Sequence, residues 1–303
     1  MVPGAPFILN TTLSCSEEWT LLPFIHIGNF ELPTFGLMMA LAFITAYFVL
    51  GREIRLRHLK IDPYSVVAYV ALAGIVGAKI WHVIDTPDDR LDWATLHSLP
   101  RLISWLRGGV AWFGGFVAGI ATLLLLARHY RVKLLTMLDL SSPAAAIGYA
   151  IGRIGCLLSG DGDYGRPTSW SWPWGMSFPN GTLPTTKVCV STIDAAHPQG
   201  WPADCNVYPT PIYEFLVCML IFWYISRRSA KAAREGTPPG LITGEFLMLF
   251  GAERFLVEFI RINPRVIFGM SNAQFAALLT MIAGAILMLV VTASKTAKAS
   301  QSA

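Results

Sequence analysis

The sequence predicts an all-α polytopic membrane protein with seven transmembrane helices, its N-terminus outside and its C-terminus in the cytoplasm. Three observations carry this. Only 14% of the 303 residues are charged against 54% apolar, with a mean hydropathy of +0.52, whereas soluble domains carry roughly 25% charged residues. Seven stretches reach the ~20 mostly apolar residues needed to cross a hydrocarbon core. The Lys and Arg residues also fall unequally on the two sides of those stretches. The formal charge of +4 therefore speaks of orientation, and no nucleic-acid partner is expected.

In chain order the stretches are 33–51, 63–84, 108–127, 137–158, 209–226, 240–260 and 272–293. The first and last carry no charge. The third is Gly-rich (Gly108, Gly109, Gly114, Gly115, Gly119), which suits close helix packing. The fourth and sixth contain charged residues. Loops 52–62, 128–136 and 227–239 and the tail after 293 hold 13 basic residues. The N-terminus and loops 85–107, 159–208 and 261–271 hold 7, spread over far more chain. Cytoplasmic loops are the basic ones, which sets the orientation.

The chain reads as one integral membrane domain, 1–303. Residues 159–208, rich in Pro, Gly and Trp, form a small extracytoplasmic cap within it. Residues 85–107 start acidic (Asp85, Asp88, Asp89, Asp92) and continue with Leu96, Leu99, Leu102, Ile103 and Leu106. That pattern fits an amphipathic helix on the membrane surface or an ordinary packed loop helix. Met1–Glu18 lacks the basic and apolar regions of a secretory signal peptide, so the N-terminus is expected to cross with the first span.

No CxxC, His-x-x-His, HExxH or P-loop occurs, so neither a metal nor a cofactor is expected. Cys189 and Cys205 share the outside loop, where oxidation is permitted, and are candidates for a disulfide. Cys156 and Cys218 lie in spans and read as core; Cys15 is left over.

Ionisable groups inside spans are costly and point to function. They are Lys79, Asp139, Arg153, Glu214, Glu245, Glu253, Arg254, Glu258 and, at the edge, Arg261. Asp139 and Glu245 lie near cytoplasmic ends, where solvation or helix capping explains them, and Glu214 lies near an outer end with water in reach. Arg254, Glu258 and Arg261 are spaced i, i+4, i+7, on one helix face. Arg153 has no acid at i±3 or i±4 and must find its counter-charge elsewhere; Lys79 stands likewise alone. Cations converging in an apolar bundle suit a bound anion, and Arg pairs phosphate bidentately while staying charged. A transporter or flippase for an anionic solute or lipid would need the same charges, although no inverted repeats are visible.

The stretch Gly152-Arg153-Ile154-Gly155-Cys156, continuing through Ser159-Gly160-Asp161-Gly162-Asp163-Tyr164-Gly165-Arg166, resembles the signature of the prolipoprotein diacylglyceryl transferase family. That signature runs Gly-Arg-Ile/Leu-Gly-Asn-Phe-x-Asn-Gly-Glu-x-x-Gly-Arg. Four further blocks are similar in order: Phe35-Gly36-Leu37; Trp105 to Gly115; Tyr208-Pro209-Thr210-Pro211-Ile212-Tyr213-Glu214; and Arg254 to Arg261 followed by Gln274. Two departures stand out. The family's histidine in the Gly-Gly block is Phe113 and its first-span tyrosine is Phe35. The turn after Gly160 is also one residue longer.

The resemblance implies a multi-pass enzyme of the bacterial inner membrane. It would move the diacylglyceryl unit of phosphatidylglycerol onto the lipobox cysteine thiol of a preprolipoprotein signal peptide and release glycerol 1-phosphate. Besides these substrates, membrane lipids are its only implied partners. Arg153 and Arg254 are then expected on the phosphate, with Arg261 and Lys79 as lesser candidates and Glu258 orienting an arginine. Asp161 or Asp163 would hold Arg153 or Arg166 or take the thiol proton, unless the run is only an Asx-type turn. Gly160 and Gly165 would let backbone approach a head group, and Tyr213 could bond one. Cys156 reads as packing. A family-derived protein with another acceptor is the remaining alternative, kept open by Phe35 and Phe113.

Overall fold

The computed structural model describes residues 23–27, 30–86, 91–107, 112–266 and 268–301. The expectations for Asp88, Asp89, Gly108, Gly109 and Cys15 lie outside those residues, as does the crossing of the N-terminus before residue 23. The described chain is mostly helical. It opens on a hairpin, β1 (Phe24–Ile27) against β2 (Phe30–Pro33). Helices α1 (Thr34–Leu56) and α2 (Pro63–Asp85) follow, then two short helices, α3 (Trp93–Leu96) and α4 (Leu99–Arg107). Next come α5 (Trp112–His129), α6 (Leu134–Ser159), the cap, α8 (Thr210–Glu235), α9 (Leu241–Val257) and α10 (Asn272–Gln301). Within the cap, strands β3 (Pro167–Thr168) and β4 (Asn206–Val207) flank α7 (Thr185–Ser191).

Among the described residues, seven long helices thus occupy the seven apolar stretches. Four of them (α1, α2, α6 and Asn272–Ser294 of α10) are long and apolar enough to cross a bilayer, in keeping with an integral membrane protein. Their outward faces carry large apolar side chains such as Phe48, Leu72, Ile80 and Leu289, all more than half exposed. Such faces are stable against lipid rather than water.

The helices pack as the pairs α1–α6, α2–α5, α6–α8, α8–α9 and α9–α10. The α2–α5 crossing explains the glycines of the third stretch. A Cβ on Gly114 would sit 2.1 Å from the Gly77 carbonyl oxygen, so only glycine permits that approach. The segment 85–107 is two short helices rather than one, because the first stops at His97.

At the end of the bundle carrying the α1–α2, α5–α6 and α8–α9 loops, polar groups close on one another. Asp139 accepts from the Gly240 and Thr243 backbone amides at 2.7 and 2.8 Å and from the Thr243 hydroxyl at 2.6 Å. It therefore caps the start of α9 from α6. Glu245 pairs with Arg228 of α8.

At the opposite end, Cys189 and Cys205 form a disulfide inside a small core with Tyr164, Met176, Phe178 and Val207. The β3–β4 ladder continues into the turn after α6. The Gly165 amide donates to the Tyr208 carbonyl and the Arg166 amide to that of Ile260, each at 2.8 Å. The cap is thereby fastened to the segment following α9.

Candidate active site

Helix α6 ends on Gly160, which adopts φ 55°, ψ 48°, the left-handed conformation glycine takes most easily at a helix end. The chain then turns back. Asp161 Oδ1 accepts from the Asp163 amide at 3.2 Å, so the Asx-type turn is present. It aims Asp163 at the arginines. Arg153 Nη1 lies 2.6 Å from Asp163 Oδ2, and Arg261 Nη2 pairs with Asp163 Oδ1. Gly165 is needed close by, since a Cβ there would lie 2.6 Å from the Ile260 carbonyl oxygen.

The expectation that Glu214 reaches water is overturned. Its side chain is fully buried, and it is the hub of the cluster. Arg153 Nη1 lies 3.3 Å from it, Arg261 Nη1 3.1 Å and Arg254 Nη1 3.8 Å. The Tyr149 hydroxyl donates to it at 2.8 Å, and the Arg153 guanidinium also lies over the Tyr149 ring at 4.9 Å. These partners come from α6 and from beyond α9, which is why Glu214 is shut off from water despite its place near the start of α8.

The single-face stripe of Arg254, Glu258 and Arg261 is also corrected. Helix α9 ends at Val257 with Glu258 as its cap residue. Turn bonds from Phe259 to Leu256 and from Ile260 to Val257 follow. The three charges still converge, because Arg261 reaches back. Glu258 Oε2 lies 3.1 Å from Arg254 Nη2 and 3.6 Å from Arg261 Nε, so it orients both. Its other oxygen accepts from Ser271 Oγ at 2.8 Å and Asn263 Nδ2 at 2.5 Å.

This cluster borders a cavity of about 420 Å³. Arg153, Arg254 and Arg261 line it, as does Phe113, on the site where the family motif carries histidine. Arg153 Nε, Arg254 Nη1 and Arg261 Nε are buried and make no hydrogen bond among the described residues; nor does either carboxylate oxygen of Glu253. Three guanidinium groups lining one cavity suit the oxygens of an anion.

The other expected residues are placed as follows. Lys79, buried on α2, donates to the Trp105 carbonyl at 2.7 Å and lies 4.1 Å from that ring's centroid; it is not on the cavity wall. Tyr213 donates to the Trp174 carbonyl at 2.8 Å, fastening α8 to the cap. Gly160 is covered by the bend at 181–183, its carbonyl accepting from the Leu183 amide at 2.8 Å. Arg166 turns to the Arg261 carbonyl at 3.4 Å. Phe35 packs on Gly155, two residues from Arg153.

Cys156 Sγ lies 3.6 Å from Asp163 Oδ2, and Cys156, Asp161 and Asp163 present ligand-type atoms within 4.8 Å of one another. Both Asp163 oxygens already serve arginines, which disfavours a cation there. The two acids differ in character. Burial would raise the Asp163 carboxyl, but the Arg261 and Arg153 guanidiniums outweigh it and hold it well below the usual carboxylate range. Asp161 is pushed up, by desolvation first and by the Asp163 charge second.

A family model described as prolipoprotein diacylglyceryl transferase matches residues 23–290. The Leptospira interrogans protein named phosphatidylglycerol–prolipoprotein diacylglyceryl transferase is 31% identical over 251 residues, covering 77% of this chain and 72% of the relative. Proteins of that name from Clostridium tetani and Geobacter sulfurreducens are both 28% identical, over 82% and 84% of this chain and 89% and 86% of their own lengths.

Proposed function

The chain belongs to the prolipoprotein diacylglyceryl transferase family, and from that premise we propose how it carries out the first step of lipoprotein maturation. It transfers the diacylglyceryl unit of phosphatidylglycerol to the lipobox cysteine thiol of a prolipoprotein signal peptide. The protein sits in the bacterial inner membrane with seven spans, N-terminus outside. Residues 159–208 form the extracytoplasmic cap of one domain, 1–303, and residues 85–107 lie on the surface among the membrane lipids. The outward apolar side chains of α8 (Leu216, Leu220, Trp223) and the basic loops at the far end support that arrangement.

One observation carries the chemistry: three arginines, Arg153, Arg254 and Arg261, held by Asp163, Glu214 and Glu258, line one cavity. In the reaction the substrate thiolate attacks the glycerol carbon bearing the phosphate. The C–S bond forms, the C–O bond breaks, and the electron pair leaves on the phosphate oxygen. Arg153 and Arg254, with Arg261 beside them, stabilise that developing charge in a low-dielectric site. Asp163 and Glu258 are positioning residues. Phe113 supplies no base, and Asp163 is committed to its arginines, so Asp161 takes the thiol proton, because the thiolate is the nucleophile. Lys79 and Tyr213 hold the framework around the site, and Gly160 and Gly165 shape its turn.

The test is incubation of the membrane-embedded protein with phosphatidylglycerol and a lipobox peptide. The expected products are a diacylglyceryl thioether and glycerol 1-phosphate in equal amounts. Lipid binding without thioether formation would sink this reading in favour of another acceptor.

A further inference from the structure

We propose that Asn272, at the start of α10, reads the alcohol of the phospholipid head group and so selects phosphatidylglycerol. This deepens the phospholipid reading above and rests on it.

The cavity changes character along the α9–α10 pair, whose register is fixed by close contacts. A Cβ on Gly251 would sit 2.9 Å from the Ala277 carbonyl oxygen, so those residues share a level. One to two turns further along, Ser271 Oγ meets Glu258 at 2.8 Å. The wall at the Gly251 level is mostly apolar, with Phe250, Ala276 and Ala277, its Tyr149 and Thr280 hydroxyls being turned to Glu214 and the Ala276 carbonyl. The wall at the middle carries Arg153 and Arg254. The wall at the end of the pair carries Asn263, Ser271 and Asn272. Apolar, cationic, then neutral and polar is the order of a glycerophospholipid read from its acyl-bearing glycerol through phosphate to head alcohol. With phosphate at the arginines and acyl-bearing glycerol at the apolar wall, the head alcohol falls against the Asn263–Asn272 wall.

Most polar groups on that wall are already engaged. Ser271 and Gln274 form a reciprocal capping box: the Gln274 amide donates to Ser271 Oγ at 3.1 Å, and the Ser271 amide to Gln274 Oε1 at 3.2 Å. Ser271 Oγ and Asn263 Nδ2 also donate to Glu258, and Arg265 pairs with Gln274. Helix α10 therefore spends its first amides on its own cap. The Asn272 carboxamide, exposed at the wall, enters no hydrogen bond among the described residues. A carboxamide both donates and accepts, which matches the hydroxyls of a glycerol head group. An ethanolamine ammonium, which only donates, uses half of it.

The experiment uses the full chain in bilayers and a lipobox peptide, with phosphatidylglycerol compared against phosphatidylpropanol of the same acyl chains. Phosphatidylpropanol keeps the phosphodiester and lacks the head-group hydroxyls. The wild type is expected to prefer phosphatidylglycerol about 3- to 10-fold in kcat/KM, the size of one or two net hydrogen bonds, with the difference in KM. Asn272→Leu is expected to lose that preference through KM, and Asn272→Gln to recover part of it. Full preference in Asn272→Leu, or none in the wild type, overturns the assignment while leaving the transferase reading standing. Thioether from neither lipid removes both together.

Discussion

The two ends of the helix bundle handle buried charge in opposite ways. At the far end, Glu53 is fully buried and both its oxygens are taken. Arg52 donates to Oε1 at 3.0 Å, while Arg57 and Ser229 donate to Oε2 at 2.8 and 2.6 Å. Arg57 in turn reaches Ser229 Oγ at 2.7 Å, so α1 is clipped to α8. Asp139 likewise has both oxygens filled by the start of α9. At the site end, Arg153, Arg254 and Arg261 share the carboxylates of Asp163, Glu214 and Glu258, yet all three also line a cavity. Burial of charge alone therefore does not mark a functional site. A closed network locks helices together, whereas an open one facing a cavity holds binding capacity in reserve for a ligand.

The largest effect expected from breaking this contrast is on the proton. Asp161→Asn removes the proposed base and should lower kcat/KM about 100- to 10,000-fold, the range of general-base catalysis. The wild-type profile should fall on the acid side with an apparent pKa above the ordinary 3.8, because the Asp161 carboxyl is raised and must be ionised to act. Asp163, held below 3.8 by Arg261 and Arg153 despite burial, keeps its pairs across that window. Its stabilising contribution is present above the unfolded carboxyl value and is lost only as pH falls through its own lower pKa. An acid limb that survives in the residual activity of Asp161→Asn would place the base elsewhere.

Glu53→Ala tests the closed end. It strands Arg57 in a buried setting and should cost about 3–5 kcal/mol of stability, read from denaturant unfolding in micelles. Activity per folded molecule should stay near that of the wild type. The open end should answer the other way round. Arg153→Ala or Arg254→Ala should lower kcat/KM about 100- to 1,000-fold in molecules that still fold. Wild-type turnover in both would end the phosphate assignment.

The sequence is legible where a local rule applies and silent where partners are remote. Continuous apolar runs of about 20 residues located the seven long helices seen among the described residues, and the motif around Arg153 located the turn at Gly160. Glu214 was misjudged because its distance from a span end is a local quantity. Its burial comes from Tyr149, 65 residues away, and from Arg261, 47 away. Glu53 drew no notice because the first apolar run stops at Gly51, whereas α1 continues to Leu56 on a charged last turn. Lys79 was grouped with the arginines by charge, yet its partner is a carbonyl 26 residues off. The hairpin β1–β2 did leave a signal, since the dipeptide Gly-Asn between Ile27 and Phe30 is a sequence common in hairpin turns; the flanking runs were too short to stand out beside a membrane span.

The smallest effect expected concerns what keeps the open end open. The Cys189–Cys205 bond closes a loop with a sequence separation of 16, which by chain entropy is worth about 3 kcal/mol. That stabilisation belongs to the cap alone. Three residues after Cys205, the Tyr208 carbonyl receives the Gly165 amide, and the next amide, that of Arg166, reaches Ile260, the neighbour of Arg261. Loosening the cap therefore loosens the turn that aims Asp163, although no residue of the disulfide touches the cavity. Cys189→Ser with Cys205→Ser should raise amide exchange across 161–208 and lower kcat/KM by less than Arg153→Ala does. Exchange around Glu53 and Asp139 should stay as in the wild type. Equal loosening at both ends would mean that the bundle unfolds as one unit and that the contrast between its ends is chemical only. Loosening confined to the cap, with activity falling alongside, would show that the open network depends on an external clamp where the closed one holds itself.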